Sequence, residues 1–183
     1  QNIVIGGLAG ALPPVIGWAA ATGSVPLNAW RLCAIIFMWT PPHFWALSLY
    51  TSEDYEKAGV PMMPVVAGAA STRRQIFIYS LLFVPLCLAP AATGLGGAVY
   101  LGVAGLGGLA FLALAWKVRR SSAGDSADPR NDGRLYDVKA GAKDARNLFA
   151  FSLLCLTLRC ATLLAEKLPA LPGLPVLIHG GGA

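Results

Sequence analysis

The chain has 183 residues, 56% of them apolar and 13% charged, with a formal net charge of +5. Soluble domains carry about 25% charged residues, so this composition excludes an ordinary soluble domain and points to an integral membrane protein. The basic residues sit in loops between apolar runs, so the positive charge is not a nucleic-acid footprint and no nucleic-acid partner is expected.

Five apolar stretches approach or reach the roughly 20 residues needed to cross a bilayer. They cover about 3–21, 30–50, 76–94, 98–118 and 148–165. Their length and lack of alternation argue against barrel strands. The expected fold class is therefore all-α, a multi-pass transmembrane bundle with five helices in a domain over 1–168. A poorly ordered tail over 169–183 is expected to follow. The first residue is Gln1 and the first apolar run begins almost at once, which is read as a piece of a longer protein.

In the first run, Gly6-Gly7 suits close helix packing in lipid, and Pro13-Pro14 should kink or interrupt the helix. The second run carries the densest information. Residues 40–64 read TPPHFWALSLYTSEDYEKAGVPMMP. Pro41-Pro42 should disturb the helix, and His43 follows at membrane depth. It stands seven residues before the exit at Tyr50, about 10 Å deep at 1.5 Å per residue. Ionisable groups at such depth are costly and mark functional candidates. His43 has four readings: a general base, a haem-iron ligand, a group orienting one, or a partner for a carbonyl freed by the prolines. Trp18, Trp30, Tyr50 and Tyr55 suit interfacial anchoring, whereas Trp39 and Trp45 lie deeper and are expected to line an apolar pocket.

Past Tyr50 the chain enters an acidic turn with Glu53, Asp54 and Glu56, next to Lys57. Carboxylates of this kind hold hard cations such as Mg²⁺, which keep waters and substrate phosphates as remaining ligands. Lys57, Arg73 and Arg74 would then meet a diphosphate. The alternative is a solvated loop without function.

Glycines and Pro85 and Pro90 punctuate the third and fourth runs. Cys33, Cys87, Cys155 and Cys160 all lie inside apolar runs without metal-ligand spacing, and read as packing residues. The segment 121–142 is rich in Ser, Gly, Asp and Lys and is expected to be mobile. Arg159 stands in the middle of the last run, where an arginine costs about 2.5–3.5 kcal/mol on insertion scales. It faces the bundle interior, meets a partner outside the chain, or snorkels along its helix. His179 reads as a solvated tail residue.

The loops after the second and fourth runs hold eleven of the 14 Lys and Arg residues. They are an even number of crossings apart, so they share a side, which the positive-inside rule makes cytoplasmic or matrix-facing. The acidic turn lies on that side too.

The stretches QNIVIGGLAGALPPVIGWAAATGS at 1–24, WTPPHFWALSLY at 39–50 and EDYEKAGVPMMPVVAG at 53–68 carry a family resemblance. Weaker support comes from TRRQIFIYSLLFVPL at 72–86 and ARNLFAFSLL at 145–154. The chain resembles the haem-farnesylating branch of the UbiA superfamily of intramembrane prenyltransferases, over nearly all its length up to about Leu168. The resemblance implies a nine-helix protein, of which this chain would be helices five to nine. It implies transfer of the farnesyl group of farnesyl diphosphate to a vinyl group of haem B, giving haem O for haem A biosynthesis, with Mg²⁺ bound to the diphosphate and haem B as substrate. Haem A synthase would act next. By the same resemblance Asp54 and Glu53 would hold the metal, and His43, Asp54 and Lys57 would be catalytic. Asn2, Arg73, Arg74 and Trp45 would bind substrate. The lipid bilayer would be a bacterial plasma membrane, with the mitochondrial inner membrane as the alternative.

Two departures stand out. The family's first Asp-rich motif would precede Gln1, so the fragment is expected to be inactive alone. Asp54 is followed four residues later by Ala58 rather than by a second aspartate. Rival readings are a prenyltransferase with a quinone-precursor acceptor, half of a transporter, and a nonfunctional fragment.

Overall fold

In a computed structural model of the chain, residues 2–51, 55, 57–125 and 142–167 are described. The helices are α1 (Asn2–Ala11), α2 (Pro13–Thr22), α3 (Leu27–Tyr50), α4 (Met63–Ala67), α5 (Ala69–Leu86), α6 (Ala89–Ala92), α7 (Ala98–Arg120) and α8 (Ala142–Lys167). Among the described residues there is no strand. The fold is all-α. Among the described residues five helical spans are long and apolar enough to cross a membrane: Ile3–Thr22, Leu27–Tyr50, Ala69–Ala92, Ala98–Arg120 and Lys143–Lys167. Large apolar side chains remain exposed along them, Ile5, Ile16, Leu106 and Leu164 among them, as lipid-facing surfaces require.

The prolines act unequally. The first span breaks at Leu12, and Pro13 opens α2, a position where a missing N–H costs nothing. Pro41 and Pro42 do not end their helix: α3 runs through both. Each removes one donor from the backbone ladder, but both are fully buried against protein, the setting in which lipid-depth irregularity is tolerated. Two span starts also differ from expectation. α5 begins at Ala69, not near 76, and α8 at Ala142, not near 148. Polar first turns extend these helices past the apolar slab.

α3, α5, α7 and α8 pack in a closed ring in which each touches the next and α8 returns to α3, while α1 and α2 lie against α3. The main core joins Trp45, Ala46 and Leu49 of α3, Ile76 and Phe83 of α5, Phe111 and Ala115 of α7, and Leu148 and Cys155 of α8. Two glycines allow close approach. A Cβ on Gly7 of α1 would meet Thr40 Cγ2 at 3.0 Å, and one on Gly108 of α7 would meet Val84 Cγ1 at 3.0 Å.

Both ends of the ring are tied. At one end Glu166 of α8 accepts from the backbone N–H groups of Gly97, Val99 and Tyr100, capping the start of α7 with a carboxylate where the helix dipole favours one. At the other end Arg73 donates to Ala123 O and to Asp125 Oδ1, the latter at 2.9 Å. Gly124 lies against Leu49 and Ala69. The segment after α7 therefore rests on the end of α3 and the start of α5, so the loops following the second and fourth crossings occupy the same end of the bundle.

A candidate substrate-facing site around His43

His43 is buried in the middle of α3, between two aromatic rings. Trp39, one helical turn earlier and so on the same face, stacks on the imidazole with centroids 4.2 Å apart and planes at 18°. Phe149 of α8 stacks on the other side at 4.5 Å and 20°. Phe44 approaches edge-on at 5.2 Å. Such ring contacts add about 0.5–1.5 kcal/mol each beyond area burial, enough to hold the ring in one orientation.

The imidazole is also hydrogen-bonded. Its Nδ1 lies 2.6 Å from Ser152 Oγ on α8, and Ser152 Oγ donates in turn to Phe149 O. Trp39 Nε1 donates to Ser152 O at 3.0 Å. Two α3 side chains thus grip one serine of α8. The partner of His43 is a hydroxyl, not a carbonyl released by Pro41-Pro42. Thr40 Oγ1, just before the proline pair, donates to Ile36 O at 2.8 Å. A buried imidazole in an apolar aromatic slot can accept or deliver a proton, or ligate a metal centre.

The other expected residues fall at different places. Trp45 is buried but packs edge-on against Tyr79 of α5 at 5.1 Å. Two residues on from His43 it points about 200° round the helix, so it belongs to the core and is not brought to the imidazole. Arg73 and Arg74 were expected in a loop; both lie in the first turns of α5. Arg73 is buried and forms the ion pair with Asp125, while Arg74 is exposed. Lys57 is exposed as well. Asn2 opens α1. Glu53, Asp54 and Glu56 lie outside the described residues, as do His179 and the segment 126–141. Among the described residues, no group of three or more His, Cys, Asp or Glu side chains stands close enough to hold a metal ion.

Cations crowd the end of the bundle to which His43 is nearest. Arg119 sits over Phe77 at 5.0 Å and Arg120 over Trp116 at 4.8 Å. Charge on an aromatic face at a span end is the usual snorkelling arrangement. Arg74, Lys57 and Arg146 stand exposed at the same end. With the Arg73–Asp125 link holding two loop roots together, this end offers exposed cations to an anion arriving from the aqueous side.

Ser152 and Phe149 were not singled out by sequence reasoning. Their signal was a serine inside an apolar run, one helical turn after an aromatic residue. Arg159 faces the interior. Its guanidinium donates to Cys155 Sγ at 2.7 Å and to Ala104 O at 3.4 Å and lies 5.0 Å from the Phe83 ring. Its Nε is buried without a partner among the described residues.

Comparison with known proteins places this site in context. The chain is 66% identical to protoheme IX farnesyltransferase of Caulobacter vibrioides, over 97% of this chain and 55% of that protein. A further Caulobacter strain has a protein of the same name at 65% identity, over 97% and 54%. The Maricaulis maris protein of that name is 59% identical, over 91% and 50%. The chain thus spans about half the length of the curated relatives it matches. No solved structure matches it. The sequence profile of the UbiA prenyltransferase family matches residues 1–136, and the five membrane-length helices among the described residues agree with it: the chain belongs to that family.

Proposed function

We propose that the protein containing this chain transfers the farnesyl group of farnesyl diphosphate to a vinyl group of haem B, giving haem O. The observation that carries this reading is the identity of 66% over 97% of the chain to a relative of that name. The aromatic slot around His43 is consistent with a flat apolar acceptor.

In the reaction, the bond between farnesyl C1 and the diphosphate oxygen breaks, and the diphosphate leaves with the electron pair. The vinyl group supplies the electrons of the new C–C bond. Water then adds to the resulting cation and loses a proton. The exposed cations Lys57 and Arg74 would stabilise charge as it develops on the leaving group. Arg73 would act differently, by fixing the loop roots around that charge through Asp125. The apolar surroundings of His43 would keep water from the allylic cation until coupling is complete. His43 would meet the haem, as iron ligand or as acceptor of the proton released by water.

Asp54 and Glu53 have the hard oxygen donors that Mg²⁺ prefers and would hold it. When bound with the diphosphate, the ion supplies electrostatic stabilisation of the leaving group. Asn2 would contribute to the substrate cavity from the start of α1, whereas Trp45 supports α3 from the core. The protein would sit in a bacterial plasma membrane with the basic end of the bundle on the cytoplasmic side, and haem A synthase would receive its product.

The rival acceptor is a quinone precursor. Membranes from cells expressing the native gene would be given labelled farnesyl diphosphate with either haem B or 4-hydroxybenzoate. Label is expected in the haem fraction alone. Label in the benzoate fraction would overturn the reading in favour of the rival.

A further inference from the structure

His43 Nδ1, Ser152 Oγ and the Phe149 carbonyl form a chain of two short contacts, 2.6 Å and 2.5 Å. A hydroxyl has one hydrogen to donate. Two oxygens 2.5 Å apart repel unless that hydrogen lies between them, so the Ser152 hydrogen points at Phe149 O. Ser152 Oγ can then only accept from Nδ1. Which ring nitrogen of a histidine carries the proton is set by the hydrogen bond the other one makes.

We propose that Ser152 is a positioning residue that holds His43 in its Nδ1–H tautomer, so that Nε2 presents a bare lone pair to the substrate. The surroundings fit. Rotating the ring by half a turn would exchange Nδ1 for a carbon and lose the bond to Ser152, and the parallel Trp39 and Phe149 rings at 4.2 and 4.5 Å resist that rotation. The Trp39 Nε1 bond to Ser152 O fixes the serine's own backbone against α3. Among the described residues only Nδ1 of the ring has a hydrogen-bond partner, which leaves Nε2 as the nitrogen available to a ligand. A lone pair there suits a metal centre or a proton. What it meets rests on the proposed function; the tautomer does not.

The test uses nitrogen chemical shifts. In the protein containing this chain, the His43 signals are identified as those that a His43→Gln variant loses. The protein, labelled with 15N-histidine in membranes, is expected to show a protonated Nδ1 and an unprotonated Nε2 at His43. Ser152→Ala should release the ring into a mixture of tautomers, and Ser152→Thr, which keeps the hydroxyl, should restore the single form. An Nε2–H tautomer in the parent protein would overturn the proposal without need of any variant. So would an unchanged spectrum in a folded Ser152→Ala protein. Adding haem B afterwards reads the functional proposal separately. A perturbed Nε2 resonance supports haem as the ligand, and an unperturbed one counts against haem while the tautomer assignment stands.

Discussion

At the scale of single residues, the described part of the chain carries two buried cations, Arg73 and Arg159, with opposite solutions. Arg73 has a carboxylate partner, Asp125, at 2.9 Å. Arg159, fully buried, has a thiol, a carbonyl and an aromatic face, with Nε left over. Among the described residues no carboxylate pairs with it. A buried charge without a matched partner is a net cost, and apolar replacements of similar volume are often neutral or stabilising. Arg159→Met is therefore expected to leave the thermal midpoint of the detergent-solubilised protein unchanged or raised. A drop of several degrees would mean that the guanidinium has an anionic partner beyond the described residues. The acidic turn makes a second residue-scale prediction. Asp54→Asn keeps shape but removes the charge a hard cation needs. Farnesyl transfer should fall by about 10²–10³, the usual effect of losing one transition-state electrostatic group. Excess Mg²⁺ should restore part of it. Undiminished turnover would return the turn to a solvated loop.

At the scale of elements, the approach of α1 to α3 bears directly on the site. Gly7 faces Thr40, the residue before Pro41-Pro42, whereas a Cβ on Gly10 would meet nothing within 4 Å. Gly7→Val should push α1 away from the proline pair and cost about 1–3 kcal/mol, as overpacking does. Gly10→Val, which meets nothing and replaces a weaker helix former, should be neutral or slightly stabilising. Equal thermal midpoints for the two variants would show that α1 does not pack there as described. This contrast illustrates what could be read from sequence. The five spans were legible as apolar runs, because lipid demands length and apolarity. Their ends were not, because first turns such as Ser71–Arg74 continue the helix beyond the apolar slab. Pro13 and Pro41 looked alike in sequence, yet one starts a helix and the other lies inside one, a difference made by what packs around each. His43 was legible through the cost of a polar group at depth. Ser152 was not, since its role arises from a contact across 109 residues of sequence between α3 and α8. The inward direction of Arg159 likewise depends on the rotation of α8 against its neighbours, which composition does not encode.

At the scale of the whole molecule, the Arg73–Asp125 link and the seating of Gly124 on Leu49 and Ala69 put the two basic loops at one end. Single cysteines at Ser71, Ser126 and Gly96, in a background lacking Cys33, Cys87, Cys155 and Cys160, should report this. The first two are expected to label from one face of the membrane and the third from the other. Labelling of Ser71 and Ser126 from opposite faces would contradict the arrangement of the ring. That arrangement places exposed cations at one end and the histidine slot roughly 10 Å deeper along α3, a separation suited to a substrate with an anionic head and a long apolar body. The central claim is that the acceptor in this slot is haem. It is tested most directly by the tetrapyrroles of cells whose own haem O formation has been deleted and which carry the native gene. Mass spectrometry is predicted to find haem B increased by one farnesyl group and one water. Haem B alone, with the protein present in the membrane, would contradict the account.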